Sequence, residues 1–515
     1  PPTYGTTYYI RTDGGTADQC NGKTNAAYSS DANNNCAWKH PFIAFPPEGS
    51  PKIAGSDTLI IGNGSYKMGY GAPGATVCDS AYPWDCYMPK IPSGISADKP
   101  TRILGAGYST GCTTKPELWG TERSRQIIDL GDRNNIEIQC LEITDHDKCV
   151  QHHSGEIACN RSSYPYGAWA QTGIYAEDSA NVKLKNLDIH GLSDKGIHAG
   201  RLKNWTIEDT TIEGNGWVGW DGDIDGADGN TGKMTFRRAN ISWNGCGQTY
   251  PGRQPVGCWA QTAGGYGDGF GTGATGGEWL FEDSKIMYNT SDGIDLYYLR
   301  LQGGSATFKR NYFEGNAGES LKTEGKTTAT DNVIIANCGY FTGKSFTHNV
   351  DACRGGGSAI ALTFNGFSNT STIYNNSLYG EGDCVMIAET MSSAGSNNTV
   401  IARNNIIYAG TDFLQPSEKS CYMWSNNANA VRFDNDYAVV YGPPKESNGY
   451  KCSDGANNQC NVDPKFTSTG AIFDLKLQSD SPAIDRGTAG ITDIDFAKTT
   501  RPKGSGVDIG AYEMK

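Results

Sequence analysis

Apolar positions recur along the middle of the chain in a fixed frame: an apolar residue, four residues, a second apolar residue, two residues, then Asn. The frame reads Ile207…Ile212…Asn215, Phe236…Ile241…Asn244, Phe281…Ile286…Asn289, Phe308…Phe313…Asn316 and Ala329…Ile334…Asn337. Weaker copies start at Leu184, Ile373 and Ile401. Successive starts lie 23, 29, 45, 27, 21, 44 and 28 residues apart, so each of the two long gaps holds one irregular turn. Short apolar stretches broken by Gly and Asn predict strands rather than helices. A unit of this size cannot bury its apolar face alone, and stacking such units at ~4.8 Å spacing buries it. The predicted fold is all-β: a right-handed parallel β-helix of about ten coils, with long loops and capped ends. An Asn at a fixed place in each coil suits a tight turn, because Asn tolerates the left-handed conformation, and stacked Asn side chains form hydrogen-bonded ladders. A propeller would need a more even period of ~40 residues.

The frame covers the middle of a single domain of three parts. Residues 126–450 form the β-helix and carry the catalytic coils. Residues 1–125 are rich in Gly, Pro, Cys and aromatics, and read as a cap and first irregular coils over an otherwise open strand edge. Residues 451–515 read as a final coil and cap. Composition agrees with this division. Gly makes up 67 of 515 residues and weakens helices, whereas 27 Tyr, 11 Trp and 16 Phe supply a large core. No run approaches the ~20 apolar residues of a membrane span. With 43 basic and 56 acidic residues the net charge is −13, which disfavours nucleic-acid partners and repels an acidic polymer unless cations intervene.

The 16 Cys include no C-x-x-C; they come as local pairs, Cys20/Cys36, Cys78/Cys86, Cys149/Cys159, Cys246/Cys258, Cys338/Cys353 and Cys452/Cys460. Such spacing reads as loop-stapling disulfides in an oxidising compartment. The expected setting is a secreted, monomeric protein whose signal peptide has been removed.

In a solenoid, residues one period apart lie on top of one another. Asp268 precedes Asp292 by 24 residues and Asp295 by 27, and Lys322 lies 27 beyond Asp295. The spacing therefore places Asp268 on one coil, Asp292 and Asp295 on the next, and Lys322 on a third. Carboxylates gathered in one patch repel, and Ca²⁺ relieves that repulsion. A Lys beside a bound cation is expected to have a lowered pKa, which suits a base.

The residues Gly267-Asp268-Gly269-Phe270 and Asn289-Thr290-Ser291-Asp292-Gly293-Ile294-Asp295-Leu296 resemble the signature of family 9 polysaccharide lyases, the calcium-dependent pectate and rhamnogalacturonan lyases. The Asn316–Lys322 stretch is similar to the family's catalytic-Lys segment with a one-residue insertion. The resemblance implies Asp268, Asp292 and Asp295 as Ca²⁺ ligands, with Ser291 standing where the family usually has another Asp. It also implies Lys322 as the base that abstracts the proton α to a uronate carboxylate, on an acidic substrate such as pectate. The segment Ser481-Pro-Ala-Ile-Asp-Arg-Gly, with Arg501-Pro502 and the run from Val507 to Glu513, resembles the C-terminal ending of many secreted bacterial β-helix proteins.

Further candidates are weaker. Arg300 and Arg354 could fork onto substrate carboxylates, and Tyr297 and Tyr298 could pack on sugar faces. Asp221, Asp223, Asp225 and Asp228 begin like a calcium loop but lack the Glu at position twelve. His190 and His198 read as turn or core residues. Three rivals remain: a polygalacturonase-type hydrolase, whose Gly-His-Gly and Arg-Ile-Lys motifs are absent, a Lys-based alginate or chondroitin lyase, whose Arg-His-Gly element is missing, and a non-catalytic adhesive β-helix that only binds polysaccharide.

Overall fold

The computed structural model describes residues 5–31, 33–82, 86, 88–147, 169–224, 229–260, 267–301, 304–365, 369–391, 397–411, 413, 421–442 and 450–514. Three parallel sheets of 13, 13 and 10 strands make the fold a parallel β-helix. By their contacts the residues form two compact units. One is Pro1–Gly226 with Asn230–Thr235 and Trp243–Trp259; the other is Ala227–Gly229 with Phe236–Ser242 and Ala260–Lys515.

In the first unit, parallel pairing starts at Thr7–Gly15, which runs beside Thr58–Ile61, well inside the region expected to be a cap. One inward column stacks Leu59, Ile103, Ile138, Leu184 and Ile207 in register. A second stacks Leu118, Ile143, Ile189 and Ile212, and a third Ile128, Ile174, Ile197 and Trp220. All of these are buried. The period of two along each strand turns the alternate side chains outward.

The second unit repeats the plan. Phe281, Phe308, Ala329, Ile373 and Ala402 form one column, and Ile286, Phe313, Ile334, Leu378, Ile407 and Val440 another. The copy expected to start at Ile401 is out by one residue: Ala402 takes the inward place and Ile401 is only half-buried. A slip of one residue exchanges the two faces of a strand, and residue size alone does not reveal it.

The repeated Asn residues do form ladders. Asn215 donates to Asn244 at 3.0 Å, and Asn289 to Asn316 at 2.9 Å. The left-handed residue, however, is the one before: Gly214, Trp243, Tyr288 and Gly315 carry the positive φ. A second ladder at the preceding corner, Asn311–Asn332–Asn376–Asn405, escaped the sequence frame. Asn332 is fully buried, accepts from the backbone and side chain of Asn311, and donates to the Phe308 carbonyl and to Asn376. Asn332→Ala is expected to cost about 3 kcal/mol, because each orphaned buried partner loses about 1–3 kcal/mol. The urea unfolding midpoint reads this directly, and a loss below about 0.5 kcal/mol would refute the ladder's role.

Among the described residues seven disulfides form. Five are expected local pairs, Cys20–Cys36, Cys78–Cys86, Cys246–Cys258, Cys338–Cys353 and Cys452–Cys460. Cys112–Cys140 and Cys384–Cys421 close longer loops, and the latter joins register partners on adjacent strands. Cys149 and Cys159 lie outside the described residues. No helix among these residues is long and apolar enough to cross a membrane. The C-terminal segment brings Leu475, Leu477, Ala483, Ile509 and Ala511 against Val333, Ile335, Ile406 and Val439 in the second unit.

Candidate active site

The candidate residues meet on the outward face of the third sheet, in the second unit. Phe270, Ile294 and Leu321 stack inward, so the residues that follow them, Gly271, Asp295 and Lys322, stack outward in register. Asp268 and Asp292 lie in the turns that lead into two of these strands, and the Asp292 backbone N–H donates to Asp268 Oδ1 at 3.0 Å. Carboxylate oxygens of Asp268, Asp292 and Asp295 lie within 4.8 Å of one another. Lys322 Nζ donates to Asp292 Oδ2 and Asp295 Oδ2, each at 3.0 Å.

Two glycines keep this cluster open. A Cβ on Gly318 would lie 2.1 Å from Asp292 Oδ1, the atom that accepts from the Glu319 N–H at 2.8 Å. A Cβ on Gly271 would stand 3.2 Å from Asp268 Oδ2 and 3.9 Å from the Asp295 Cβ, in the space beside the carboxylates. An all-oxygen, acidic donor set with room beside it fits a hard metal ion and is poorly suited to zinc.

The charges are strongly coupled. Burial, and then the charges of Asp292 and Asp295, push the Asp268 carboxyl well above the usual range. Burial also raises Asp295, against the pull of Lys322. For Asp292 burial is outweighed by Lys322, by a hydrogen bond from Glu319 and by Arg354, and its carboxyl falls below the ordinary value. Lys322 differs from the sequence expectation. Burial works against its charge, but Asp292, Asp295, Glu319 and Asp268 outweigh it, and its pKa is raised rather than lowered. Four acidic groups face the ammonium, and the lowering expected of a neighbouring cation requires that cation to engage the carboxylates first.

Sequence reasoning passed over Glu319 as a site residue, although it stands three positions before Lys322. Its nearly buried carboxyl is pushed well up by burial and by Asp292, with which it shares a hydrogen bond. Ser291 links two of the candidates: its hydroxyl accepts from Arg354 Nη1 at 2.8 Å and hydrogen-bonds Asp268. Arg354 is carried there by the turn after Cys353, and its N–H donates to the Ala317 carbonyl. Tyr297 donates its N–H to Asp295 Oδ1, and Lys322 Nζ lies 5.0 Å from its ring centroid.

The remaining candidates make contacts of their own. Arg300 pairs with Glu324 at 3.2 Å and lies over the Tyr298 ring, which is exposed. Asp221, in the first unit, faces Lys195 at 3.6 Å and His198 at 3.7 Å, and caps the Asp223 N–H. Asp225 and Asp228 lie outside the described residues.

The sequence matches the family described as right handed beta helix region over residues 168–350. No curated protein matches the chain. Pectate lyase Pel9A is similar to it in structure at 15% identity and a TM-score of 0.46, covering 100% of this chain and 97% of its own. A rhamnogalacturonan lyase is similar at 12% identity and a TM-score of 0.39, over 90% and 91% of the two chains. The A-module of mannuronan C-5 epimerase AlgE4 of Azotobacter vinelandii is similar at 14% identity and 0.33, over 76% and 91%. At such identities the chemistry has to be read from this β-helix's own side chains.

Proposed function

We propose that the protein is a secreted, Ca²⁺-dependent polysaccharide lyase that cleaves a uronate-rich chain, pectate or another galacturonan, by β-elimination. The observation that carries this reading is Lys322 held at 3.0 Å from Asp292 and Asp295, with Asp268 completing the acidic cluster. Asp268, Asp292 and Asp295 would hold the ion, with Ser291 beside them. Bound there, Ca²⁺ would neutralise the substrate carboxylate, favour the enolate-like anion and draw the carboxylates' charge away from Lys322.

The chain's own residues do the rest. Asp292 and Asp295 fix the Lys322 amine at the sheet surface. Once neutral, the amine takes the proton from uronate C5. The electron pair of that C–H bond forms the C4=C5 double bond, the C4–O bond breaks, and the leaving oxygen gains a proton. Arg354, anchored through Ser291, offers its remaining N–H groups to a substrate carboxylate. Tyr297 shields the amine from one side. A non-catalytic polysaccharide binder is favoured by the carboxylates that surround Lys322, with Asp292 and Asp295 each at 3.0 Å, and raise its pKa.

The test is ultraviolet absorbance of a panel of uronate polysaccharides with added protein. A rise from the conjugated double bond is expected with Ca²⁺, falling to background in EDTA and returning on re-addition of Ca²⁺. Because the amine must shed a tightly held proton, the rate is also expected to climb into the alkaline range. New reducing ends without absorbance, or activity that persists in EDTA and peaks at acid pH, would overturn the reading.

A further inference from the structure

The second sheet of the first unit carries an outward constellation that the lyase chemistry does not use. Glu117, Glu142 and Asp188 are register partners on neighbouring strands, as are Trp119, Thr144 and His190. A segment spanning Gln248–Arg253 lies over them. Arg253 pairs with Asp188 and with Glu142 at 3.2 Å, and Gln248 Oε1 meets His190 Nδ1 at 2.9 Å. Between segment and sheet remains a cavity of about 110 Å³, lined by Glu117, Glu142, His190, Gln248, Tyr250 and Arg253 among others. That volume holds several waters.

Beside the cavity three rings form a column. Trp119 stacks on His146 and His146 on Tyr250, each pair with centroids 3.8 Å apart. His146 Nε2 is fixed by Glu117 Oε1 at 2.6 Å, and Tyr250, the outer ring, is 43% exposed. The hydrogen bond from His190, with help from Arg253, keeps the Glu142 carboxyl below its ordinary range, so it remains an acceptor.

We propose that this cavity is a carbohydrate-binding site for a neutral pyranose ring. The three features a sugar needs converge here. Carboxylate oxygens accept from hydroxyls, Arg253 and Gln248 donate to ring and hydroxyl oxygens, and the exposed Tyr250 face covers the C–H face of the ring. Charge sets the selectivity. Glu117, Glu142 and Asp188 outnumber Arg253, so a uronate pays for its charge while a neutral ring does not. A divalent cation is disfavoured because Arg253 already stands between Glu142 and Asp188. The site is built from the first unit alone and does not depend on the lyase reading.

Calorimetric titration of the full chain in EDTA tests this, with galacto-, xylo- and manno-oligosaccharides as neutral probes and oligogalacturonide as the charged comparison. At least one neutral probe is expected to bind one-to-one. Tyr250→Ala and, separately, the milder Glu142→Gln are each expected to weaken it about tenfold. Absence of binding by every neutral probe, binding that survives both substitutions, or a tighter binding of oligogalacturonide that Tyr250→Ala or Glu142→Gln abolishes would overturn the proposal.

Discussion

Lys322→Ala is expected to lower β-elimination by about 10²–10⁴-fold, the usual contribution of a positioned base. The expectation follows from geometry: Lys322 is the amine that the register Gly271–Asp295–Lys322 sets against the acidic cluster. The side chain is one-fifth exposed and its neighbours Leu321 and Thr323 point inward, so its removal leaves the core columns intact. Polymer binding, measured separately by co-sedimentation or affinity electrophoresis, is expected to survive. The variant also removes a cation from Asp268, Asp292, Asp295 and Glu319, and some loss of stability from carboxylate repulsion should accompany the loss of rate. An unchanged rate would remove Lys322 from the mechanism, while loss of binding without change in turnover per bound chain would make it an anchor.

The second large effect concerns stability. Arg501 is fully buried, pairs with Glu513 at 2.8 Å and Asp331 at 3.1 Å, and donates to the carbonyls of Asp508 and Gly510. Arg501→Met keeps much of the volume but leaves two buried carboxyls without their cation, which costs about 3–5 kcal/mol. Burial already outweighs Arg501 at Asp331, whose pKa is raised from 3.8 to about 6. A carboxyl raised on folding contributes most stability below its unfolded pKa, and loses that contribution as pH rises through the folded value. The penalty of Arg501→Met is therefore expected to be larger at pH 7, where Asp331 is ionised, than at pH 4, where it is protonated. Denaturant midpoints at the two pH values measure it. A loss below about 1 kcal/mol, or one indifferent to pH, would mean that Arg501 acts by packing rather than by charge.

Much of the fold was legible because stacking imposes one frame on every coil. Phe281, Phe308 and Ala329 recur at the period of the coil because each must fill the same inward place. The frame failed where that place accepts a small residue, as at Ala402, and where a polar ladder rather than an apolar column sets the repeat, as at Asn311–Asn332–Asn376–Asn405. Cys112–Cys140 and Cys384–Cys421 were missed because their spacings, 28 and 37 residues, reach across coils instead of closing a local loop.

The sequence by itself determined the parallel β-helix and the stacking of Lys322 on Asp295, because period alone decides which residues stack. Only the tertiary structure decided the direction in which the Lys322 pKa moves, since pKa depends on how many carboxyls face the amine and how deeply they are buried. It alone joined Ser291 to Arg354 across 63 residues, and Glu142 to Arg253 across 111, because those contacts are made by loops whose paths no periodicity records.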